Sequence, residues 1–400
     1  MSEWKLKDCC LSISDGDHLP PPKAESGIPF ITISNIDVTN HIDFGNTLFV
    51  PIDYYNKLDP IRKAKPNDII YSVVGSFGKP VLIKNNRKFV FQRHIAILRP
   101  NSEVVDSRFL YYVMLSRDFY MQADSVAIGA AQRTISLTSL RNMKVELPSL
   151  TNQIHIADIL SRYDSLIENY QKQIKLLEEA AQRLYKEWFV DLRFPDHENT
   201  KIVDGVPEGW EKKRLGDIVK TTSGGTPSRS NSNYYSGNIM WVKTKELMDG
   251  FIFDTEEKVT QEAINKSSAK IVPKASILLA MYGATIGKLG IASKDLSCNQ
   301  ACCVFLLSKD NPLRWYLFNW LLLNREFLIS QGKGAAQPNL SQDMIKKFEL
   351  VVPDDNTLLS YHRLVNVFYM KSKSLQSQIR LLTEARDRLL PKLMSGEIAV

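Results

Sequence analysis

The sequence predicts an α+β fold: two homologous α+β domains separated by two long antiparallel helices that form a coiled coil with pseudo-twofold symmetry. Three observations predict it. The chain repeats itself at a constant offset of 205 residues, each copy opens with short apolar and β-branched runs, and each closes on a heptad seam. The repeat fixes the domain limits: a first domain over 1–150, a first spacer helix region over 151–195, a second domain over 196–353 and a last spacer helix over 354–400.

The repeat is read from identities held in register. Gly129-Ala130-Ala131-Gln132 returns as Gly334-Ala335-Ala336-Gln337, Ser136 as Ser341 and Pro148 as Pro353. Leu176-Leu177 returns as Leu381-Leu382, Glu179-Ala180 as Glu384-Ala385, and Arg183-Leu184 as Arg388-Leu389. A period this long exceeds any solenoid unit and marks a duplicated module the size of a domain. Trp4-Lys5-Leu6-Lys7-Asp8 at the start of the first copy resembles Trp210 to Asp217 at the start of the second, once a short gap is allowed.

Strand-like runs follow in each copy: Pro29 to Ile33, Asp68 to Val74 and Phe89 to Phe91 in the first, Asn238 to Val242, Ser276 to Met281 and Ala301 to Leu307 in the second. A helix is predicted after each set, near Asp106 to Gln122 and Pro312 to Ser330. The long helices declare themselves by period. Ile156, Leu160, Tyr163, Ile167, Tyr170, Ile174, Leu177, Ala181, Leu184 and Trp188 step by four and three. The offset carries them onto Tyr361, Val365, Phe368, Ser372, Leu375, Ile379, Leu382, Arg386, Leu389 and Leu393, where Ser372 and Arg386 weaken the seam. At 1.5 Å per residue each helix spans about 50 Å.

With 400 residues, 44% of them hydrophobic and 24% charged, the chain is long and apolar enough for two or three folded domains, and not of disordered composition. The N-terminus has no apolar signal core, and the longest apolar run, Trp315 to Leu323, is too short to span a bilayer. A soluble cytoplasmic protein without membrane contact is expected. Five cysteines, with no CxxC and no histidine beside them, are expected to be reduced and mostly buried, with no metal.

The net charge of +7 permits a polyanionic partner, and its distribution favours one. From Ile69 to Ser102 there is no acid, while Lys79, Lys84, Arg87, Lys88, Arg93 and Arg99 supply positive charge. The matching stretch Ala263 to Lys294 is also free of acid and carries Lys266, Lys270, Lys274, Lys288 and Lys294. Paired basic windows suit a phosphate backbone through counterion release.

Motifs for catalysis are weak. Gly283-Ala284-Thr285-Ile286-Gly287-Lys288 is one residue short of a phosphate loop and has Leu289 where a metal-binding hydroxyl is needed; Gly75-Ser76-Phe77-Gly78-Lys79 is shorter again. Both read as glycine turns that bring a lysine to a surface. Asp196 followed by Glu211, Lys212 and Lys213 has the order of a magnesium nuclease set, but the first copy has no equivalent. No Asn-Pro-Pro-Tyr, Asp-Pro-Pro-Tyr, GxGxxG or HExxH is present. Residues suited to base edges cluster near the glycine turns. Gln92-Arg93-His94 aligns with Gln300, which follows Asn299; Arg133 follows Gln132, and Lys333 and Gln337 belong to the corresponding loop of the second copy.

With these features the chain resembles the specificity subunits of type I restriction-modification systems, over essentially its whole length. The resemblance rests on the two-copy layout, the Gly-Ala-Ala-Gln lead into each helical segment, Gly224-Gly225-Thr226-Pro227, Met281 to Lys288, and Asn299-Gln300-Ala301. The first domain lacks the Gly-Gly-Thr-Pro sequence and has Gln92 in place of the Asn-Gln pair. The resemblance implies a non-catalytic subunit whose two target-recognition domains each read one half of a split double-stranded DNA sequence. It implies two docked methyltransferase (modification) subunits and further restriction (translocase and nuclease) subunits. S-adenosylmethionine would belong to the former and ATP and magnesium to the latter; this chain needs no cofactor. The expected DNA contacts are Ser76, Phe77, Lys79, Lys84, Arg87, Lys88, Gln92, Arg93, His94 and Arg133 in the first domain. In the second they are Thr226, Tyr282, Thr285, Lys288, Asn299, Gln300, Lys333 and Gln337. The alternatives are a nuclease or methyltransferase acting alone, and a coiled-coil scaffold for proteins.

Overall fold

In the computed structural model, which describes residues 2–16, 21–37, 39–130, 132–332 and 339–398, the repeat is visible element by element. The long helices are Leu150–Phe189 and Asp355–Met394, displaced by 205 at both ends. The strands before them, Lys144–Leu147 and Glu349–Val352, and the short helices Leu137–Asn142 and Gln342–Lys347 keep the same displacement. Ser136 and Ser341 cap those short helices by accepting from Ser139 and Met344 N–H. Each long helix also starts on a polar cap: Ser149 accepts from Asn152 N–H (3.4 Å), and Asp354 from Asn356 (3.0 Å) and Thr357 (3.1 Å). Pro148 and Pro353 stand just before.

The chain divides into two compact units. One comprises Met1–Ile167 with Leu382–Val400, the other Glu168–Leu381, so each long helix contributes to both.

In the first unit the sheet Cys10–Asp15, Ile95–Pro100, Ile69–Ser72, Pro80–Leu82 is antiparallel throughout. A smaller sheet has Ile28–Ile31 between Leu48–Val50 and Val90–Phe91. The second unit repeats both. Thr221–Ser223, Cys302–Phe305, Ile277–Ala280 and Leu289–Ala292 follow the same order, with Gly250–Ile252 added as a parallel edge. Ile239–Val242 lies between Lys258–Val259 and Ser297–Cys298. The opening strands pair with the strands preceding the long helices, Ser2–Lys5 with Lys144–Leu147 and Glu211–Arg214 with Glu349–Val352. Leu6 N–H donates to Met143 C=O and Leu215 N–H to Phe348 C=O. By that register Lys213 is the counterpart of Trp4, and Trp210 lies before the strand, which locates the gap in the repeat. The predicted helix of each copy is two helices, Ser107–Leu115 with Arg117–Val126, and Leu313–Leu323 with Arg325–Ser330.

Every residue predicted on either seam is buried or half-buried, and each helix runs 40 residues, about 60 Å. In the second unit Tyr361 packs on Trp188 (5.8 Å between centroids) and its hydroxyl donates to Ala181 C=O, while Ser372 donates to Glu178 (3.4 Å). Residue numbers rise on one helix as they fall on the other, so the pair is antiparallel. In the first unit Ile156 and Leu160 share a core with Leu390 and Leu393. The two polar seam positions have polar partners: Ser372 has Glu178, and Arg386 donates to Asp164 (2.6 Å), which also accepts from Tyr112 Oη (2.6 Å). All five cysteines are free thiols, buried except half-buried Cys10. Among the described residues no helix is long and apolar enough to cross a membrane.

Burial between the helices pushes the Glu178 carboxyl up to about 7. The folded state therefore favours the protonated acid. Its contribution is fully present below the unfolded carboxyl range and is lost as pH rises through about 7. We predict that Glu178→Gln gains about 1–2 kcal/mol over the parent chain between pH 5 and pH 8, after discounting for partial exposure. Chemical denaturation at the two pH values measures it; an equal difference at both would show that Glu178 does not titrate with folding.

Candidate nucleic-acid interface

In each unit the residues singled out from sequence fall on loops at the ends of the two sheets. In the first unit the turn Gly75 to Lys79 joins strands Ile69–Ser72 and Pro80–Leu82. Gly75 N–H donates to Arg133 C=O (2.9 Å) and Val73 N–H to His94 C=O (2.9 Å). The glycine turn, the Gln92–His94 turn and the loop carrying Arg133 thus meet. In the second unit Tyr282 to Lys288 joins Ile277–Ala280 and Leu289–Ala292. Met281 N–H donates to Ala301 C=O (2.8 Å) and Tyr282 bridges Asn339, so the same three loops meet again. Lys333 and Gln337 lie outside the described residues.

Both glycine turns are hairpin turns. A phosphate loop needs a strand running into a helix, and neither turn has one. Gly78 (φ 92°) and Gly287 (φ 80°) take the left-handed conformation that a side chain would strain. Their lysines turn inward: Lys79 Nζ donates to Ile36 C=O (3.3 Å), and Lys288 Nζ meets Asp249 (3.0 Å), which also pairs with Arg325. Thr285 is half-buried within its turn, where its carbonyl accepts from Lys288 N–H (2.9 Å).

The hydrogen bonds correct the alignment of the Gln92 and Gln300 turns by one residue. Gln92 N–H donates to Ile31 C=O and Asn299 N–H to Val242 C=O; Ile95 N–H then donates to Gln92 C=O, and Cys302 N–H to Asn299 C=O. Gln92 is therefore the counterpart of Asn299, and exposed Arg93 that of exposed Gln300. The glycine loop also has a counterpart in the first copy. A Cβ on Gly16 would stand 2.2 Å from Phe91 O, as one on Gly224 would stand 2.1 Å from Cys298 O. The chain passes too close to that turn for a side chain in either copy.

The side chains of the second unit are held in place. Thr226 Oγ1 donates to Gln300 Oε1, Trp241 Nε1 donates to Gly225 C=O (3.0 Å) and Tyr235 Oη to Pro227 C=O (2.7 Å). Thr226 and Gln300 are exposed, and Tyr282 is 36% exposed. In the first unit Ser76 is exposed while Phe77 is buried, stacked on Tyr120 (5.8 Å, 9°). Arg133 lies over the Phe77 ring (5.4 Å) and is paired with Asp124. Burial, then the neighbouring Arg93, hold the His94 imidazole below its ordinary pKa, so it is neutral at physiological pH.

Acids from outside the acid-free windows pair with some of their cations. Arg99 is bound by buried Asp68 (2.9 Å), Lys266 by Glu262 (2.8 Å) and Lys288 by Asp249. Lys84, Arg87 and Lys88 remain exposed, with Arg87 over Phe44 (3.7 Å) and Lys88 over Tyr55 (5.7 Å). In the second unit Arg229 lies over Tyr235 (4.3 Å) and Trp241 (5.2 Å) and pairs with Glu257 (2.6 Å). Phe44, Tyr55, Tyr235, Trp241 and Arg229 are not among the expected contacts; Phe44 and Tyr55 meet Arg87 and Lys88 from distant parts of the sequence.

The nuclease-like set does not assemble. Asp196 accepts from Asn199 (2.6 Å) in a tight turn, and Glu211 pairs with Lys213 (2.8 Å) on a strand. Among the described residues no group of three His, Cys, Asp or Glu is placed to hold a metal.

Comparison with known proteins agrees with this architecture. Residues 4–179 and 207–357 match the family described as the type I restriction modification DNA specificity domain. The type I restriction enzyme MjaIX specificity subunit of Methanocaldococcus jannaschii is 28% identical over 307 residues, covering 75% of this chain and 71% of that one. The HindI specificity subunit of Haemophilus influenzae is 26% identical, with both chains covered in full. The crystal structure of the type I restriction-modification S subunit from M. genitalium superposes with a TM-score of 0.60 at 16% identity, covering 98% of this chain and 95% of that one. With two matched segments taking up most of its length, and one fold in each, the chain belongs to the type I restriction-modification DNA specificity family.

Proposed function

We propose that this chain is the non-catalytic subunit that selects the DNA target of a type I restriction-modification complex, each unit reading one half of a split double-stranded sequence. The observation that carries this reading is the repeated junction of three loops, with Arg93 exposed on one and Gln300 on the other. Arginine suits guanine O6 and N7, and glutamine suits adenine N6 and N7. Thr226, by engaging Gln300 Oε1, orients that amide. Arg87 and Lys88 are the phosphate contacts we assign to the first unit; Lys79 and Lys288, tied inward, support their hairpins instead. The complex acts on DNA inside the cell, and adenine methylation and DNA cleavage belong to its other subunits.

The two long helices set the unread gap and carry the methylating partners. Leu364 (50% exposed), Val367 (65%) and Met370 (36%) form an apolar strip on the outer face of the second helix, which we assign to partner docking.

Three outcomes test this. Mapping methylated adenines in cells carrying Gln300→Ala should show relaxed reading, by about 1–3 kcal/mol of discrimination, in one half of the site only; change in both halves or neither would refute the assignment. Insertion of one heptad at matching places in both helices should lengthen the gap by about 3 base pairs, since seven residues add about 10 Å, with both halves unchanged. An unchanged gap would remove the spacer role. Val367→Glu should weaken assembly with the methylating subunit at least about tenfold in sedimentation, while the free chain stays folded; unaltered assembly would free this strip from that role.

A further inference from the structure

Each copy places an arginine in the first turn of the helix that follows its sheets, beside a long helix, and the two are compensated differently. Arg108, in Ser107–Leu115, is held by two carboxylates, Asp106 (3.2 Å) and Asp158 (2.6 Å). The positions 205 residues on from those acids are Asn311 and Arg363. Arg314, in Leu313–Leu323, accordingly pairs with no carboxylate among the described residues, although it is only 3% exposed. Its Nη2 donates to Asn366 Oδ1 (3.1 Å), its guanidinium lies over the Trp315 ring (4.1 Å), and its buried Nε has no hydrogen-bond partner among the described residues. Asp310, whose charge acts on Arg314, is itself exposed and pairs with Lys309 (3.8 Å).

Further cations surround it. His362 is buried, its Nδ1 is unpartnered among the described residues, and burial, then Arg314, hold its imidazole below the ordinary pKa. Half-buried Lys373 is held below its ordinary value by burial, then by Lys274 and Arg314. Burial pushes the Arg314 guanidinium down to about 10, so it stays charged at physiological pH. A buried charge without a counter-ion is costly, and a carboxylate is the group that matches a guanidinium best.

We infer that, on the docking role proposed above for Leu364, Val367 and Met370, the methylating subunit brings a carboxylate side chain to Arg314, in the role that Asp106 and Asp158 play for Arg108. Met370 lies four residues after Asn366 and three before Lys373, so the apolar strip borders the cationic site along one helix. Exposed apolar residues beside an arginine suit a protein surface better than a phosphate backbone. Only the half-buried side chains of Asn366 and Lys373 and the exposed Arg363 stand on the helix face beside Arg314, so a partner can reach it by side-chain rotation alone.

The test uses the full-length chain and the methylating subunit, with assembly followed by sedimentation. Arg314→Met removes the charge and keeps a long side chain. It should weaken assembly at least about tenfold, and raise the melting temperature of the free chain, because an uncompensated buried charge is gone. Asn311→Asp, which restores an acid where the first copy has Asp106, should do both by pairing Arg314 internally. Added salt should weaken assembly of the parent more than that of Arg314→Met. Assembly indifferent to both variants would overturn the inference. So would a lowered melting temperature in Arg314→Met, which would make Arg314 a support of the fold, or a loss confined to DNA binding by a fully assembled complex, which would assign the site to a phosphate. Val367→Glu separates the two levels: if it breaks assembly while Arg314→Met does not, the carboxylate contact fails and the docking strip stands, and indifference to every variant removes both.

Discussion

Everything else in this chain depends on burying two apolar seams. An isolated 40-residue helix with a heptad stripe cannot leave that stripe in water, and the hydrophobic gain from pairing outweighs the cost of ordering the segments. The antiparallel partner comes from the same chain, 205 residues on, and each helix contributes to both compact units. The polar interruptions are matched rather than tolerated. Arg386 meets Asp164, which also accepts from Tyr112, and Ser372 meets Glu178, which restricts register more tightly than an all-apolar seam would. The start of each helix is set with the same care, by Pro148-Ser149 and Pro353-Asp354.

That constraint places the repeated loop junctions. In each copy the strand before the long helix pairs with the opening strand of the domain, and the chain then passes through the same sheet order to the same loop junction. Close backbone approach at Gly16 and Gly224, and left-handed turns at Gly78 and Gly287, hold the loops together whatever side chains they carry. On the function proposed above, a scaffold fixed by backbone and core leaves exposed Arg93 and Gln300 to read the target.

Much of the fold was legible because periodicity survives divergence: the seams and the shared caps lie at a constant offset. The site was less legible, for reasons that particular residues make plain. Residue identity matched Gln92 with Gln300, whereas the hydrogen bonds match Gln92 with Asn299, because backbone geometry outlasts side-chain identity. Counting charge along the sequence overstated the basic faces, since Asp68, Glu262 and Asp249 neutralise Arg99, Lys266 and Lys288 from outside the windows. The aromatic supports Phe44, Tyr55 and Trp241 become neighbours of their cations only through folding. Trp4 and Trp210 looked equivalent, yet one is 36% exposed on a strand and the other lies buried in an aromatic cluster that the first copy lacks.

The central claim is that duplicated units grip two separate stretches of one duplex. Hydroxyl-radical footprinting of the assembled complex on its methylated target measures this most directly. Two protected patches flanking an accessible gap are the predicted result; a single continuous patch, or protection confined to one side of the target, would contradict it.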